Sequence, residues 1–251
     1  RSWGRNEAIL RQVLQTDPNH RRANGLMAQT LSEVGRWRDA IPFYRKITGP
    51  NDFIAPARFG LIHALWNAGR LDEAEDALNE AVARWPKHGS LWETRVKFLA
   101  FTGRPQQALA LIADKSGWPP GDEIWPEGMT AIINASQSTD QQERRRVVEM
   151  VRKRILHDPG DAESAMEYMP PLGAIDEAFE YAEGFYLGKG PWARAAVPTN
   201  RFEGWITAPL FGVLTKPMRA DPRFAPLMQA IGLEDYWRRS HTQPDYRAFP
   251  S

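Results

Sequence analysis

A six-residue pattern returns every 34 residues along this chain. Gly35-Arg36-Trp37-Arg38-Asp39-Ala40, Gly69-Arg70-Leu71-Asp72-Glu73-Ala74 and Gly103-Arg104-Pro105-Gln106-Gln107-Ala108 align without a gap, and Gly173-Ala174-Ile175-Asp176-Glu177-Ala178 follows 70 residues after the third. A fixed period of this length predicts stacked supersecondary units, each too small to bury its apolar face alone.

The unit reads as a helical hairpin. Ahead of each glycine runs an apolar series at helical spacing: Met27, Leu31 and Val34, then Leu61, Leu65 and Ala68, then Val96 and Leu99. Glycine tolerates φ > 0 and can end this first helix with a left-handed cap. A second helix follows, with Ala40, Tyr44 and Ile47, or Ala74, Leu78 and Ala81, or Ala108 and Ile112, on one face. Its small alanine lets the two helices approach closely. Asp17-Pro18, Trp85-Pro86 and Asp158-Pro159 then close the hairpins, because proline disfavours helix at the residue before it.

These residues resemble the tetratricopeptide repeat family, whose period is 34 and whose pattern includes the glycine, the alanine and the closing proline. The resemblance spans about residues 5–189 and implies an all-α, right-handed superhelix, an α-α solenoid with a C-terminal helical cap. Residues 1–189 then hold about five repeats, the first of them truncated to its second helix. The pattern departs at residues 122–158, where Gln137-Ser138-Thr139-Asp140 replaces the turn glycine. Arg1 rather than Met opens the sequence, so the chain reads as a piece of a longer protein, with an anchor or effector domain upstream.

Residues 190–251 read as a loop-rich linker and capping helices. Gly188, Gly190, Pro191, Pro198 and Pro209 break regular structure. Asp221-Pro222 then predicts a helix start and Gly232 its stop, with Phe224, Leu227, Met228 and Ile231 as the buried stripe. Arg219-Ala220-Asp221-Pro222-Arg223-Phe224, Gly232-Leu233, Asp235-Tyr236-Trp237-Arg238 and Pro244-Asp245 are similar to the closing segment of bacterial repeat arrays linked to winged-helix or nucleotide-cyclase domains. That likeness implies the sensory or interaction part of a larger regulator.

Composition narrows the chemistry. Lys plus Arg number 32 against 31 Asp plus Glu, a net charge of +1, which calls for neither nucleic acid nor an anionic membrane. No run approaches the length of a membrane span. The absence of cysteine removes disulfides and thiolate chemistry and leaves the compartment open, cytoplasmic or periplasmic. His20, His63, His88, His157 and His241 show no helical pairing that suits a metal. Gly188-Lys189-Gly190 lacks the spacing of a phosphate loop. No catalytic residue, cofactor or metal site is expected. Arg144, Arg145, Arg146, Arg152, Lys153 and Arg154 form a basic segment whose apolar partners Val147, Val148, Val151 and Ile155 face a core; its charges read as a solvated face, with an acidic partner or phosphate as the sharper alternative.

The resemblance places the binding surface on the first helices, which line the concave groove. By register the groove positions are Arg22, Gln29, Ser32 and Glu33, then Phe59, His63, Trp66 and Asn67, then Glu93, Lys97, Ala100 and Phe101. Aromatic anchors beside a few polar groups suit a protein or extended peptide partner. The alternative is that these aromatics pack within the array. Repeats that grip a chaperone's C-terminal carboxylate carry Lys, Asn and Arg where this chain has Gly25, Gln29, Gly60, Ser90 and Thr94, so that clamp is not expected. Two competing readings remain: an accessory domain of a cyclase or transferase, and a small-molecule sensor.

Overall fold

The computed structural model describes residues 3–49, 55–120, 124–157, 162–195 and 207–249. Among them are fifteen α-helices and no strand. α1 (Trp3–Thr16) precedes five hairpins: α2 (Arg21–Glu33) with α3 (Trp37–Ile47), α4 (Ala55–Asn67) with α5 (Leu71–Arg84), α6 (Gly89–Phe101) with α7 (Pro105–Ala113), α8 (Pro126–Gln137) with α9 (Gln141–His157), and α10 (Ala162–Tyr168) with α11 (Ile175–Leu187). The tail carries α12 (Lys216–Ala220), α13 (Phe224–Ile231), α14 (Leu233–Ser240) and α15 (Asp245–Ala248). The fold is the all-α helical-hairpin repeat that the 34-residue period predicts. Two compact units form, residues 1–85 with 228–251, and residues 86–227.

The four repeat glycines share one conformation. Gly35, Gly69, Gly103 and Gly173 have φ of 75°, 77°, 86° and 77°. In each turn the next residue donates its N–H five positions back, Arg36 to Leu31 O, Arg70 to Leu65 O, Arg104 to Leu99 O and Ala174 to Met169 O, at 2.8–3.0 Å. That bond satisfies a carbonyl the ending helix leaves open. The same residue's carbonyl then accepts from Ala40, Ala74, Ala108 or Ala178 and starts the second helix. All four alanines are fully buried, as the close helix approach requires.

The α8–α9 turn reaches the same end without glycine. Ser138 Oγ accepts from Asp140 N, and Asp140 Oδ1 accepts from Gln142 N at 2.7 Å, so side chains cap α9. Arg144 Nε ties the turn by donating to Ser138 O. At the first closing proline, Asn24 Nδ2 donates to Pro18 O, and His20 Nδ1 caps α2 by accepting from Ala23 N. Asp158-Pro159 and Pro198 lie outside the described residues.

In the first unit, Tyr44 of α3 lies directly on the backbone of α4. A Cβ at Gly60 would stand 2.3 Å from its ring. In the same unit α14 and α15 close on α1 and the first full repeat. Tyr236 donates to Glu7 Oε2 at 2.7 Å, and buried Arg36 reaches both Glu7 Oε1 and the Tyr236 hydroxyl at 3.1 Å. Burial pushes the Glu7 carboxyl up, but the bonds from Tyr236 and Arg11 and the charge of Arg36 hold it below its ordinary value. Trp237 Nε1 donates to Val34 O, Asp245 N donates to Gly35 O, and Asp245 Oδ2 accepts from Arg38 N. The tail thus satisfies backbone groups around the first repeat's own turn.

In the second unit, Trp92, Val96 and Ala100 of α6 pack with Ala108, Ile112, Met129 and Ile133. Val147, Val148, Val151 and Ile155 are the buried face of α9, as their spacing predicts. The basic residues of α9 are partly engaged: Arg154 stacks over Trp125 at 4.7 Å and Arg152 reaches Glu180. Arg223 bridges Asp221 and Asp176 at 2.8 Å and covers the Phe179 ring. The stripe Phe224, Leu227, Met228 and Ile231 is buried, and Gly232, at φ 97°, ends α13.

Candidate binding faces on the first helices

On α4, Phe59, His63, Trp66 and Asn67 fall at i, i+4, i+7 and i+8, which puts them on one stripe. The structure brings them together. The Phe59 and His63 rings lie 4.2 Å apart, and His63 and Trp66 6.1 Å apart. Their accessibility differs: Phe59, His63 and Asn67 are half-buried, whereas Trp66 is only 4% exposed and forms the base of the stripe. On neighbouring α2, Arg22 and Gln29 are exposed, but Ser32 and Glu33 turn inward. Ser32 Oγ donates to Ala28 O and meets the Tyr44 hydroxyl at 3.5 Å.

The corresponding face of α6, in the second unit, is built differently. Lys97 is nearly enclosed, with 11% of its side chain exposed, between Glu93 at 2.9 Å and Glu167 at 3.1 Å. Its ammonium sits 4.9 Å from the Tyr168 ring centre, and the Tyr168 hydroxyl donates to Glu93 Oε1 at 2.9 Å. Burial pulls Lys97 down, yet the charges of Tyr168, Glu167 and Glu93 hold it well above its ordinary value. Burial likewise pushes the Tyr168 phenol up; Lys97 opposes this and the two carboxylates reinforce it. Ala100 is buried and Phe101 is half-buried against the α6–α8 core.

Behind this network, Glu93, Tyr168, Trp125, Arg154 and Ser164 line a cavity of about 70 Å³. That is room for a few waters or one inserted side chain. Glu167 and Tyr168, which fix Lys97, belong to α10 and carry no mark in the 34-residue pattern. The Glu7–Arg36–Tyr236 triad is equally silent in sequence, since its ends are 229 residues apart. Among the described residues no cluster of three or more His, Asp or Glu is placed to hold a metal, and no helix is long and apolar enough to cross a membrane.

A family model described as "Tetratricopeptide repeat" matches residues 26–89 and again residues 59–116. No curated protein matches the chain. The two matched stretches run from within α2 past α7, and so include the hairpins with the left-handed glycines Gly35, Gly69 and Gly103 and the buried alanines Ala40, Ala74 and Ala108; over these residues the chain is similar to tetratricopeptide repeats.

Proposed function

We propose that this chain is a non-catalytic scaffold that binds a protein or peptide through the first helices of its repeats. The single observation that carries this is the α4 stripe, where Phe59, His63 and Asn67 remain half-accessible above a buried Trp66. Rigid aromatic groups held from beneath bury area on binding at little entropic cost. Gln29 of α2 supplies an exposed amide in the same unit. On α6 the contact positions are Glu93, Lys97 and Phe101, of which Glu93 presents the most accessible charge, at 32% side-chain exposure.

Selection of a displayed peptide library on the wild-type chain tests this. Convergent sequences should emerge, and Phe59→Asp should abolish their capture. Absence of convergence, or capture indifferent to Phe59→Asp, would overturn the proposal.

The finer role is that of the interaction part of a larger regulator. What supports it is the resemblance of the tail, whose Arg223, Tyr236, Trp237 and Asp245 anchor residues on the repeats of their own units. The gene's full reading frame tests this: a winged-helix domain or membrane span supports it, and a catalytic domain of another kind contradicts it.

A further inference from the structure

A trough in the first unit is lined by no residue of α2 or α4. It runs between α1 and the α13–α14 corner and encloses about 1080 Å³. Small-molecule pockets span roughly 300–1,000 Å³. The trough lies at the top of that range and is open to solvent along its length, a shape that admits a length of chain. Exposed Ala8 and Ala230 form its apolar part, over the largely buried Trp3 and the buried Ile231.

Five charged residues line it: Arg5, Arg11, Arg239, Glu7 and Asp235. The two carboxylates are already answered. Glu7 is held by Arg36 and Tyr236 as well as Arg11, and Asp235 is held by Arg238 at 2.6 Å. Arg5 and Arg239 make no ion pair or hydrogen bond with any carboxylate among the described residues, and both are exposed. Two guanidinium groups without a carboxylate partner therefore set the field of the trough, Arg5 from α1 and Arg239 from α14.

We infer that this trough docks an acidic, amphipathic helical segment of a partner protein, its apolar side on Trp3, Ala8 and Ala230 and its carboxylates on Arg5 and Arg239. Guanidinium groups offer planar, paired donors that match carboxylates. A nucleic-acid backbone would call for a longer run of cations without an apolar floor. The inference goes beyond the α4 stripe: it concerns a different surface and a partner of defined charge.

Fluorescence anisotropy of labelled amphipathic peptides on the whole chain tests it, with one peptide carrying Glu on its polar face and a second carrying Lys at the same positions. The Glu peptide should bind, and binding should weaken about tenfold in Arg5→Glu/Arg239→Glu and fall with added salt. The Lys peptide should not bind, and Phe59→Ala/His63→Ala should leave the Glu peptide's affinity unchanged, which separates this site from the α4 stripe. Circular dichroism checks the fold of each variant, and Arg5→Gln/Arg239→Gln serves if the double reversal unfolds. The inference is overturned if the Glu peptide fails to bind or binds the double variant equally. It is overturned too if duplex DNA or phosphatidylserine vesicles bind in its place, or if Arg5→Glu/Arg239→Glu abolishes self-association of the chain, which would make a second copy the occupant.

Discussion

Phe59, His63 and Asn67 of α4 become Glu93, Lys97 and Phe101 of α6 when the chain is moved on by one period. The backbones are equivalent, and each helix ends in a glycine turn of the same geometry. The side chains are put to opposite uses. On α4 the stripe makes ring contacts along its own helix and stays half-accessible. On α6 the equivalent positions reach α10, where Lys97 closes a network with Glu167 and Tyr168. A repeat fixes where a side chain stands, and the neighbouring element decides whether it holds the fold or remains available to a partner.

The largest effect should come from Lys97→Ala, which would leave Glu93 and Glu167 facing each other without their cation. Breaking a fully buried pair costs roughly 3–5 kcal/mol. Glu93 and Glu167 keep 32% and 22% side-chain exposure, so the loss here should be about 2–3 kcal/mol in urea denaturation. A loss under about 0.5 kcal/mol, the scale of an ordinary surface change, would break the comparison by showing that Lys97 does not hold the fold.

The same network sets a pH signature. Lys97 and Tyr168 are both raised in the folded state, so their contribution is present below the ordinary values of 10.5 and 10.0 and is lost as pH rises beyond them. Glu7, lowered in the first unit, contributes above 4.5 and is lost as pH falls through its folded value. Melting curves should therefore drop at alkaline pH in the wild type and drop less in Lys97→Ala, while the acid limb is shared by both. An alkaline limb of equal steepness in the two would remove the network from the account.

A smaller effect probes what the two repeats share. Gly69 and Gly103 each have space for a methyl group, with nothing within 4 Å, but φ of 77° and 86°. Gly69→Ala and Gly103→Ala should each cost about 1–2 kcal/mol, by similar amounts, through backbone conformation alone. Unequal costs would show that the turns are less alike than their hydrogen bonds.

Much of the fold is legible from local rules. Gly35, Gly69, Gly103 and Gly173 mark the turns because a left-handed cap favours glycine, and Ala40, Ala74, Ala108 and Ala178 mark the tight contacts because larger side chains would not fit. The α8–α9 turn, with no glycine, is explained only once Ser138 and Asp140 are seen to cap it. The candidate binding faces are less legible. Register places Phe59 and Trp66 on one stripe, but Trp66 is buried by its surroundings and Lys97 is engaged by residues 70 positions away. The tail shows the same limit. Asp221 and Gly232 bound α13 in sequence, whereas the placement of Tyr236 and Asp245 on the first repeat depends on non-local packing.

The most direct measurement is a paired one, taken with a peptide selected on the wild-type chain. Calorimetric titration and urea denaturation are run side by side on Phe59→Ala/His63→Ala and on Lys97→Ala. The α4 variant should lose at least tenfold in affinity, about 1.4 kcal/mol, while its unfolding free energy stays within about 1 kcal/mol of wild type. Lys97→Ala should lose stability and, under conditions where it remains folded, keep most of its affinity. The reverse pattern, with binding intact and the fold loosened in Phe59→Ala/His63→Ala, would make the α4 stripe internal packing and contradict the account.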